Sequence, residues 1–476
     1  MPDRNLIVAF EIGSSKIKGA AASVDPNGAL TVLAIEEEPL IDAVRYGVIR
    51  KVEEVSNRIQ SIKLKLENSP AVAPGKIKRV YVSAGGRSLR SSTFPIEKNF
   101  DEETEITDLV IRQLREQALA SAAGIPDCDI LAVMPRDYVV DNLPQKNPKG
   151  IFAHAIRTNV CLIHARTANN LNLKRAITER LDIDIQAPIV RQVAIAGVVL
   201  TDEERSLGCM LVDFGAETTT VSIYKNNGML YLITIPIGSR VITRDLTNIS
   251  GMENRAEEIK KTLGNIHPDE TPQASYPEGL DTTEINNYIH ARAGEIITNI
   301  MEQPRYAGLK LSDLRGGIVV VGCGSKLRGF NAMLRSQSGL AVRQGMPSNT
   351  IRIADHRIDP ADAVDVIALL SVAARMNKPE PCVVFPEKKP EEEEIVTVRT
   401  TASTHHSGHD DDDDDDNISR IGRDMDDDLS ALEDDDDEKP ERKTKPRDQK
   451  KNRSLLAKVG DKLMNLLSED DSDDNE

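Results

Sequence analysis

Three absences narrow the possibilities before any motif is considered. The first is basic charge. The 476 residues include 77 Asp and Glu against 60 Lys and Arg, and the imbalance is local. Residues 387–476 hold 31 acidic and 15 basic side chains, leaving 46 and 45 in residues 1–386. A body without net positive charge excludes a dedicated nucleic-acid binder. The second absence is cysteine pairing. Cys128, Cys161, Cys209, Cys323 and Cys382 are scattered and form no CxxC. That pattern predicts reduced thiols in a cytosol rather than a disulfide framework or a zinc site. The third is a long apolar run. No stretch approaches the roughly 18 apolar residues that a bilayer span requires. The opening MPDRNLIVAFEIG has only a short apolar run before Glu11, expected to be a strand and not a signal peptide.

Apolar residues make up 39% of the chain, fewer than globular chains usually carry. The deficit sits after Phe385. EKKPEEEE, HDDDDDDD and EDDDDEKPERKTKPRDQKK bury too little surface to offset the entropy of ordering them. Residues 387–452 are therefore expected to form a disordered acidic and basic linker, extended by its own like charges. His405, His406 and His409 lie in this stretch and read as solvated low-complexity sequence; its Asp runs match no cation cage.

The body alternates strand and helix patterns, the mark of an α/β fold. LIVAF and GAAASV flank a glycine-serine turn, followed by TVLAIEEEP, the helical VEEVSNRIQSIKLKLEN and the strand RVYVSAGG. Residues 87–170 change character. A helix, TDLVIRQLREQALASAAG, sits among the strands DILAVMP and RTNVCLIHA, which suggests an inserted α+β subdomain; His154 and His164 within it read as structural. Alternation then returns with the helices LKRAITERL and RQVAIAGVVL, the hairpin MLVDFGAETTTVSIY and the strand MLYLITIPIG. A mostly helical stretch over 241–311, the buried strand GGIVVVG and a last helix ADAVDVIALLSVAARM complete the body. The expected layout is a first lobe from 1–86 and 171–200, the insert at 87–170, and a second lobe over 201–386.

Three segments place glycine and hydroxyl residues directly after a strand: AFEIGSSKIKGA, LVDFGAETTTVSIY and VVVGCGSKLRGF. Glycine lets the backbone approach an anion, and backbone N–H and hydroxyl groups donate to phosphate oxygens. The carboxylates at two strand ends, Glu11 and Asp213, are candidate ligands for Mg²⁺ through water. Taken alone, each of the first two also reads as a plain hairpin, the first most readily, and the third as a strand-to-helix turn. Their order, at domain-sized intervals, is the informative signal.

With these three segments in view, the sequence resembles the actin/Hsp70/sugar-kinase superfamily over residues 5 to about 376, and within it the FtsA family of bacterial division proteins. The segments VMPRDYVVDNLPQKNPKGIFAHAIRTNVCLIHA and AGVVLTDEERSLG carry the more specific part of that resemblance, because actin and Hsp70 lack such an insertion. The resemblance implies a two-lobed actin-like α/β fold with ATP and Mg²⁺ between the lobes. It makes Gly13, Ser14, Ser15 and Lys16 the first phosphate loop, Gly215, Thr218 and Thr219 the second, and Gly322, Gly324, Ser325 and Lys326 the adenosine loop. Gly238 joins these contacts, as do Glu257, Lys260 and Lys261 of RAEEIKKTLG on the nucleoside side. Glu11 and Asp213 take the catalytic and metal roles. Gln192 is either a water-orienting group or a surface glutamine. Relatives usually carry DxGGGTT at the second loop, where this chain has Ala216 and Glu217. A carboxylate there repels a triphosphate unless a cation intervenes, so the expectation is ATP binding with at most slow hydrolysis.

The far end of the chain carries a separate signal. Placed at 100° per residue, Leu455, Leu456, Val459, Leu463, Leu466 and Leu467 share a stripe about 120° wide. Lys458 and Lys462 flank it, placed to snorkel. Upstream, Lys439 to Arg453 supplies eight basic residues against two acidic ones. An amphipathic helix over 453–468 beside a basic run, followed by an acidic terminus at 469–476, reads as a peripheral anchor for an anionic membrane. A helix docking in a protein groove, or packing back on the body, is the alternative. The resemblance implies a cytoplasmic protein that self-associates at the division site, tethers FtsZ through its C-terminal tail to the inner membrane and helps recruit other division proteins. Rival readings are an actin-like scaffold for cell shape or pilus assembly, a sugar or acid kinase, and an Hsp70-type chaperone. The kinase would need a substrate-facing base, for which the sequence shows no motif. The chaperone would need a folded β-rich domain after the ATPase, where this chain has a polar linker.

Overall fold

The computed structural model describes residues 5–266, 281–376 and 381–386. The expected linker, amphipathic helix and acidic terminus all lie outside the described residues.

The first lobe is built on a six-stranded sheet. Its order is Asp184–Val190, Arg79–Ala84, Leu6–Ile12, Lys16–Val24, Leu30–Pro39 and Arg352–Ile353. Leu6–Ile12 pairs antiparallel with Lys16–Val24 from Leu6 opposite Ser23 to Ile12 opposite Ile17, and parallel with Arg79–Ala84. Every residue of Leu6–Ile12 is buried, which is why the run LIVAF shows no alternation. The helix Val52–Glu67 packs on the second and third strands of the chain, burying Val55, Ile59, Ile62 and Leu66 at helical spacing. The helix Val364–Arg375 packs on the strands Leu6–Ile12 and Lys16–Val24 and against the helix Arg191–Val199.

That last helix departs from the expected layout, which assigned 201–386 wholly to the second lobe. The strand Arg352–Ile353 joins the edge of the first sheet, and residues between Ala363 and Met376, with Cys382 and Val383, contribute to the first lobe's apolar core. The physical reason is the helix Val364–Arg375 itself. It is apolar on nearly every face, so it needs the deepest available cover, and the central strands of the first sheet supply it.

A second sheet has nine strands. Five belong to the second lobe, in the order Gly228–Ile235, Thr219–Lys225, Cys209–Phe214, Gly317–Val321 and Val342–Gln344. Two of these strands divide their faces between two cores. Met210, Val212, Phe214, Ile318 and Val320 pack with the second lobe's helices, whereas Cys209, Leu211, Val319 and Val321 belong to the first core. The period-2 alternation of a strand thus joins the lobes, and a strand covered on both faces reads as continuously apolar.

The remaining strands are those of the insert, Arg90–Glu105, Cys128–Val140, Leu143–Gln145 and Phe152–Arg166. The helix Asp108–Ser121 buries Val110, Leu114 and Ala118 into the insert's own core. The insert joins the second lobe's sheet through Arg90 opposite Ile233, a link between distant segments that no local pattern signals. Among the described residues no helix is long and apolar enough to cross a membrane.

Candidate functional site

The two hairpins singled out in the sequence are built alike. In the first, the Gly13 N–H donates to the Lys16 carbonyl at 3.0 Å; in the second, the Gly215 N–H donates to the Thr218 carbonyl at 2.9 Å. Each follows a wholly buried strand, and each strand carries a buried carboxylate two residues before the glycine, Glu11 and Asp213. The hairpins and the Gly322 turn meet in one cleft of about 1060 Å³, open solvent at its mouth included. Gly322 has to be glycine. Its φ is +87°, and a Cβ would lie 2.5 Å from the Phe214 carbonyl oxygen and 2.8 Å from Asp213 Oδ1.

Of the expected site residues, Glu11, Gly13, Ser14, Ser15, Lys16, Asp213, Gly215, Thr218 and Gly322 line this cleft. Ser14 Oγ accepts from the Gly47 N–H at 3.0 Å, which leaves its hydroxyl hydrogen to donate elsewhere. The others are not part of this lining. Thr219 turns away, its hydroxyl donating to the Ile237 carbonyl at 2.7 Å. Gly238 lies under the second hairpin, where a Cβ would meet the Ala216 oxygen at 2.4 Å. Glu257 Oε2 accepts from Lys260 Nζ at 2.6 Å and from the Thr243 hydroxyl at 2.5 Å, and Lys260 also reaches the Ser239 carbonyl at 3.3 Å. Desolvation works against the Glu257 charge, but Lys260 outweighs it and holds the carboxyl below its usual range. Lys261 is exposed and 3.3 Å from Glu257. Ser325 Oγ donates to the Gly322 carbonyl at 2.7 Å and closes the third turn, which contains Gly324, while Lys326 pairs with Asp362 at 2.5 Å.

Gln192 is not a surface residue. It is buried, and its Nε2 donates to Asp213 Oδ2 at 3.3 Å. Glu217 also differs from expectation. The repulsion anticipated from its carboxylate is answered by cations of the chain itself: Arg240 at 3.1 Å, Arg45 at 3.3 Å and Arg244 at 3.5 Å. Its second oxygen accepts from the Tyr46 N–H at 2.5 Å. Glu217 therefore ties the second hairpin to the Arg45–Gly47 turn across the cleft, and it does not line the cleft.

Two cationic residues were missed. Lys18 is buried, donates to the Asp362 carbonyl and pairs with Asp365 at 2.6 Å. Burial opposes its charge, but Asp365 and Glu11 outweigh that and hold the ammonium above the ordinary lysine range. Arg191 heads the connecting helix Arg191–Val199. Its guanidinium bonds to Glu11 Oε1 through Nη1 and to Asp213 Oδ2 through Nη2, the latter at 2.8 Å. Burial again works against the charge, and Asp213 and Glu11 overcome it, so Arg191 stays a cation. Burial, then the like charge of Asp365, push the Glu11 carboxyl upward, with Arg191 and Lys18 pulling the other way. The available signal for Arg191 was a lone cation opening an otherwise apolar helix, RQVAIAGVV.

The arrangement bears on what the cleft accepts. Ser14, Ser15 and Thr218 offer hydroxyl donors on two converging turns whose glycine N–H groups close the turns themselves, and the space suits a nucleoside polyphosphate. Mg²⁺ fits less well. The two carboxylates expected to hold it are bridged by a guanidinium, and unit charges about 4 Å apart repel by about 4 kcal/mol at a surface-like dielectric, twice that for a dication.

Two family models match the chain. "Cell division protein FtsA" matches residues 210–366, and "SHS2 domain inserted in FTSA" matches residues 86–164. The cell division protein FtsA of Porphyromonas gingivalis is 29% identical over 397 residues, covering 80% of this chain and 80% of that protein. That of Borreliella burgdorferi is 27% identical over 391 residues, 79% of this chain and 93% of that protein. Among solved structures, a chain of the PilM-PilN type IV pilus biogenesis complex superposes with a TM-score of 0.57 at 15% identity, over 77% of this chain and 98% of that one. That similarity is one of fold. The fold is the two-lobed, actin-like one, with an inserted subdomain of the FtsA type.

Proposed function

The chain belongs to the FtsA family of cell division proteins, and from that premise we propose that it binds ATP between its lobes, self-associates, and tethers FtsZ filaments to the cytoplasmic face of the inner membrane. The observation that carries the nucleotide half is the convergence of two like-built hairpins, each with a carboxylate, a glycine and hydroxyls, on one cleft. Their N–H and hydroxyl groups would hold the phosphates, and the loop from Gly322 to Lys326 would bound the adenosine. Gln192, held on Asp213, is the residue nearest to a water-orienting role. With Arg191 drawn onto both carboxylates, neither is free to activate a water, so turnover should be slow.

The membrane half rests on the sequence 453–468. Each basic residue near an anionic surface contributes about 1 kcal/mol, and a fully buried leucine contributes roughly 1.5 to 3 kcal/mol, less when half immersed. A single chain therefore binds reversibly, and a polymer binds firmly through multivalency. This links nucleotide-dependent self-association to attachment. Other division proteins would be recruited to the polymer so held.

The test is sedimentation of the purified protein with anionic liposomes, with and without ATP and FtsZ. Wild type should pellet with the liposomes, carry FtsZ down, and do so more completely with ATP. Leu463→Glu should stay in the supernatant. Liposome binding unchanged by that substitution refutes the anchor. Failure to carry FtsZ down refutes the tether.

A further inference from the structure

Arg191 occupies a particular place. It is the residue through which the two hairpin strands touch electrostatically: one terminal nitrogen on Glu11, the other on Asp213. These carboxylates lie on different sheets and both line the cleft. A divalent cation shared by them would serve two purposes. It would cancel their mutual repulsion, and it would keep their charge from opposing the phosphates. A guanidinium bonded to both already serves the first purpose, and its planar fork suits two separated carboxylates better than an ammonium would. Gln192, the next residue, adds a hydrogen bond to the same Asp213 oxygen. Lys18 and Asp365 complete the charged lining behind Glu11. Of these groups, only Arg191 contacts both carboxylates.

We infer that Arg191 is the resident cation of this cleft. It stands where a divalent metal would be shared by Glu11 and Asp213, so nucleotide binds without Mg²⁺ being a ligand of the protein. This inference rests on the nucleotide reading above and specifies what that site requires. Three consequences follow from the geometry. Chelating divalent cations should leave affinity nearly unchanged. Replacing Arg191 by a neutral side chain exposes two carboxylates to the phosphates, so binding then needs a metal. A metal recruited in that way should sit against the protein.

The experiment is calorimetric titration of the full-length chain with ATP, in Mg²⁺ and in excess EDTA, for wild type, Arg191→Gln and Arg191→Lys, with folding checked by circular dichroism. Wild-type affinity should differ by less than about threefold between the two buffers, while Arg191→Gln should lose about tenfold or more in EDTA. Arg191→Lys keeps the charge but not the fork and should fall between them. Mn²⁺ with ATP supplies a second readout: its electron paramagnetic resonance spectrum should change on adding Arg191→Gln far more than on adding wild type. A tenfold or larger loss for wild type in EDTA overturns the inference and leaves nucleotide binding standing. So does a substituted chain that remains metal-independent. No binding of ATP in either buffer overturns both the inference and the reading beneath it. The wild-type comparison alone decides the matter if a variant does not fold.

Discussion

Glu217 shows how one side chain changes the meaning of a motif. In the sequence it follows the glycine of the hairpin expected to hold phosphate, and its charge looks hostile to a triphosphate. In the folded chain its side chain is 2% exposed and three arginines and one backbone N–H converge on it. A carboxylate buried with this many donors contributes through its partners: removing it leaves Arg240 and Arg45 with only the half-exposed Asp42 and Glu253. Arg45 and Arg244 are more than one-third exposed, so solvent recovers part of that cost. Glu217→Ala is expected to lower unfolding stability by about 2 kcal/mol, measured as a shift in the urea midpoint. It should also loosen the cross-cleft tie to Tyr46, seen as faster amide exchange in the Arg45–Gly47 turn. An unchanged midpoint would mean that the arginines carry their own solvation.

Among the elements, the strand Arg352–Ile353 pairs with Thr31 and Val32, and a carboxylate just beyond it, Asp355, ties the chain to the same neighbouring strand. Asp355 Oδ2 accepts from the Ile35 N–H at 3.0 Å, and Arg357 donates to the same group at 2.7 Å and 2.9 Å. The Arg357 hydrogen bonds, outweighing burial, and the backbone N–H groups hold the Asp355 carboxyl down at about 2. A carboxyl depressed on folding adds stability that is complete above its unfolded value, near pH 4, and is lost as pH falls through the folded one. Asp355→Asn should be less stable than wild type by about 1 to 3 kcal/mol at neutral pH. The gap should close between about pH 4 and pH 2, which urea denaturation across that range would test. A gap that persists at the lowest pH would assign the effect to lost geometry instead of charge.

At the scale of the molecule, the two lobes are joined by strands that bury one face in each core and by charged contacts around the cleft. A ligand that binds this cleft in the native state only must stabilise the whole body by mass action. With ATP at about one hundred times its dissociation constant, the unfolding free energy should rise by about 2.7 kcal/mol. The gain should be absent for a chain in which Asp213 and Ser14 are both replaced by bulky side chains. Equal unfolding curves with and without ATP would count against a site between the lobes.

What the sequence determined by itself was local. Buried strands announced themselves as unbroken apolar runs, amphipathic helices as 3.6-residue spacing, and the cleft-lining hairpins as glycine and hydroxyls after a strand, because each signal spans only a few neighbouring residues. The insert, with its helix amid strands, was legible for the same reason. What only the tertiary structure decided lies in contacts between distant positions. Arg191 meets Glu11 across 180 positions, Tyr46 meets Glu217 across 171, and Lys18 meets Asp365 across 347. The return of Arg352–Ile353 and Val364–Arg375 to the first lobe is of that kind too. No periodicity encodes such pairings. They arise because buried charges must find partners and apolar helices must find cover, and which partner or cover lies within reach is settled only when the chain has folded.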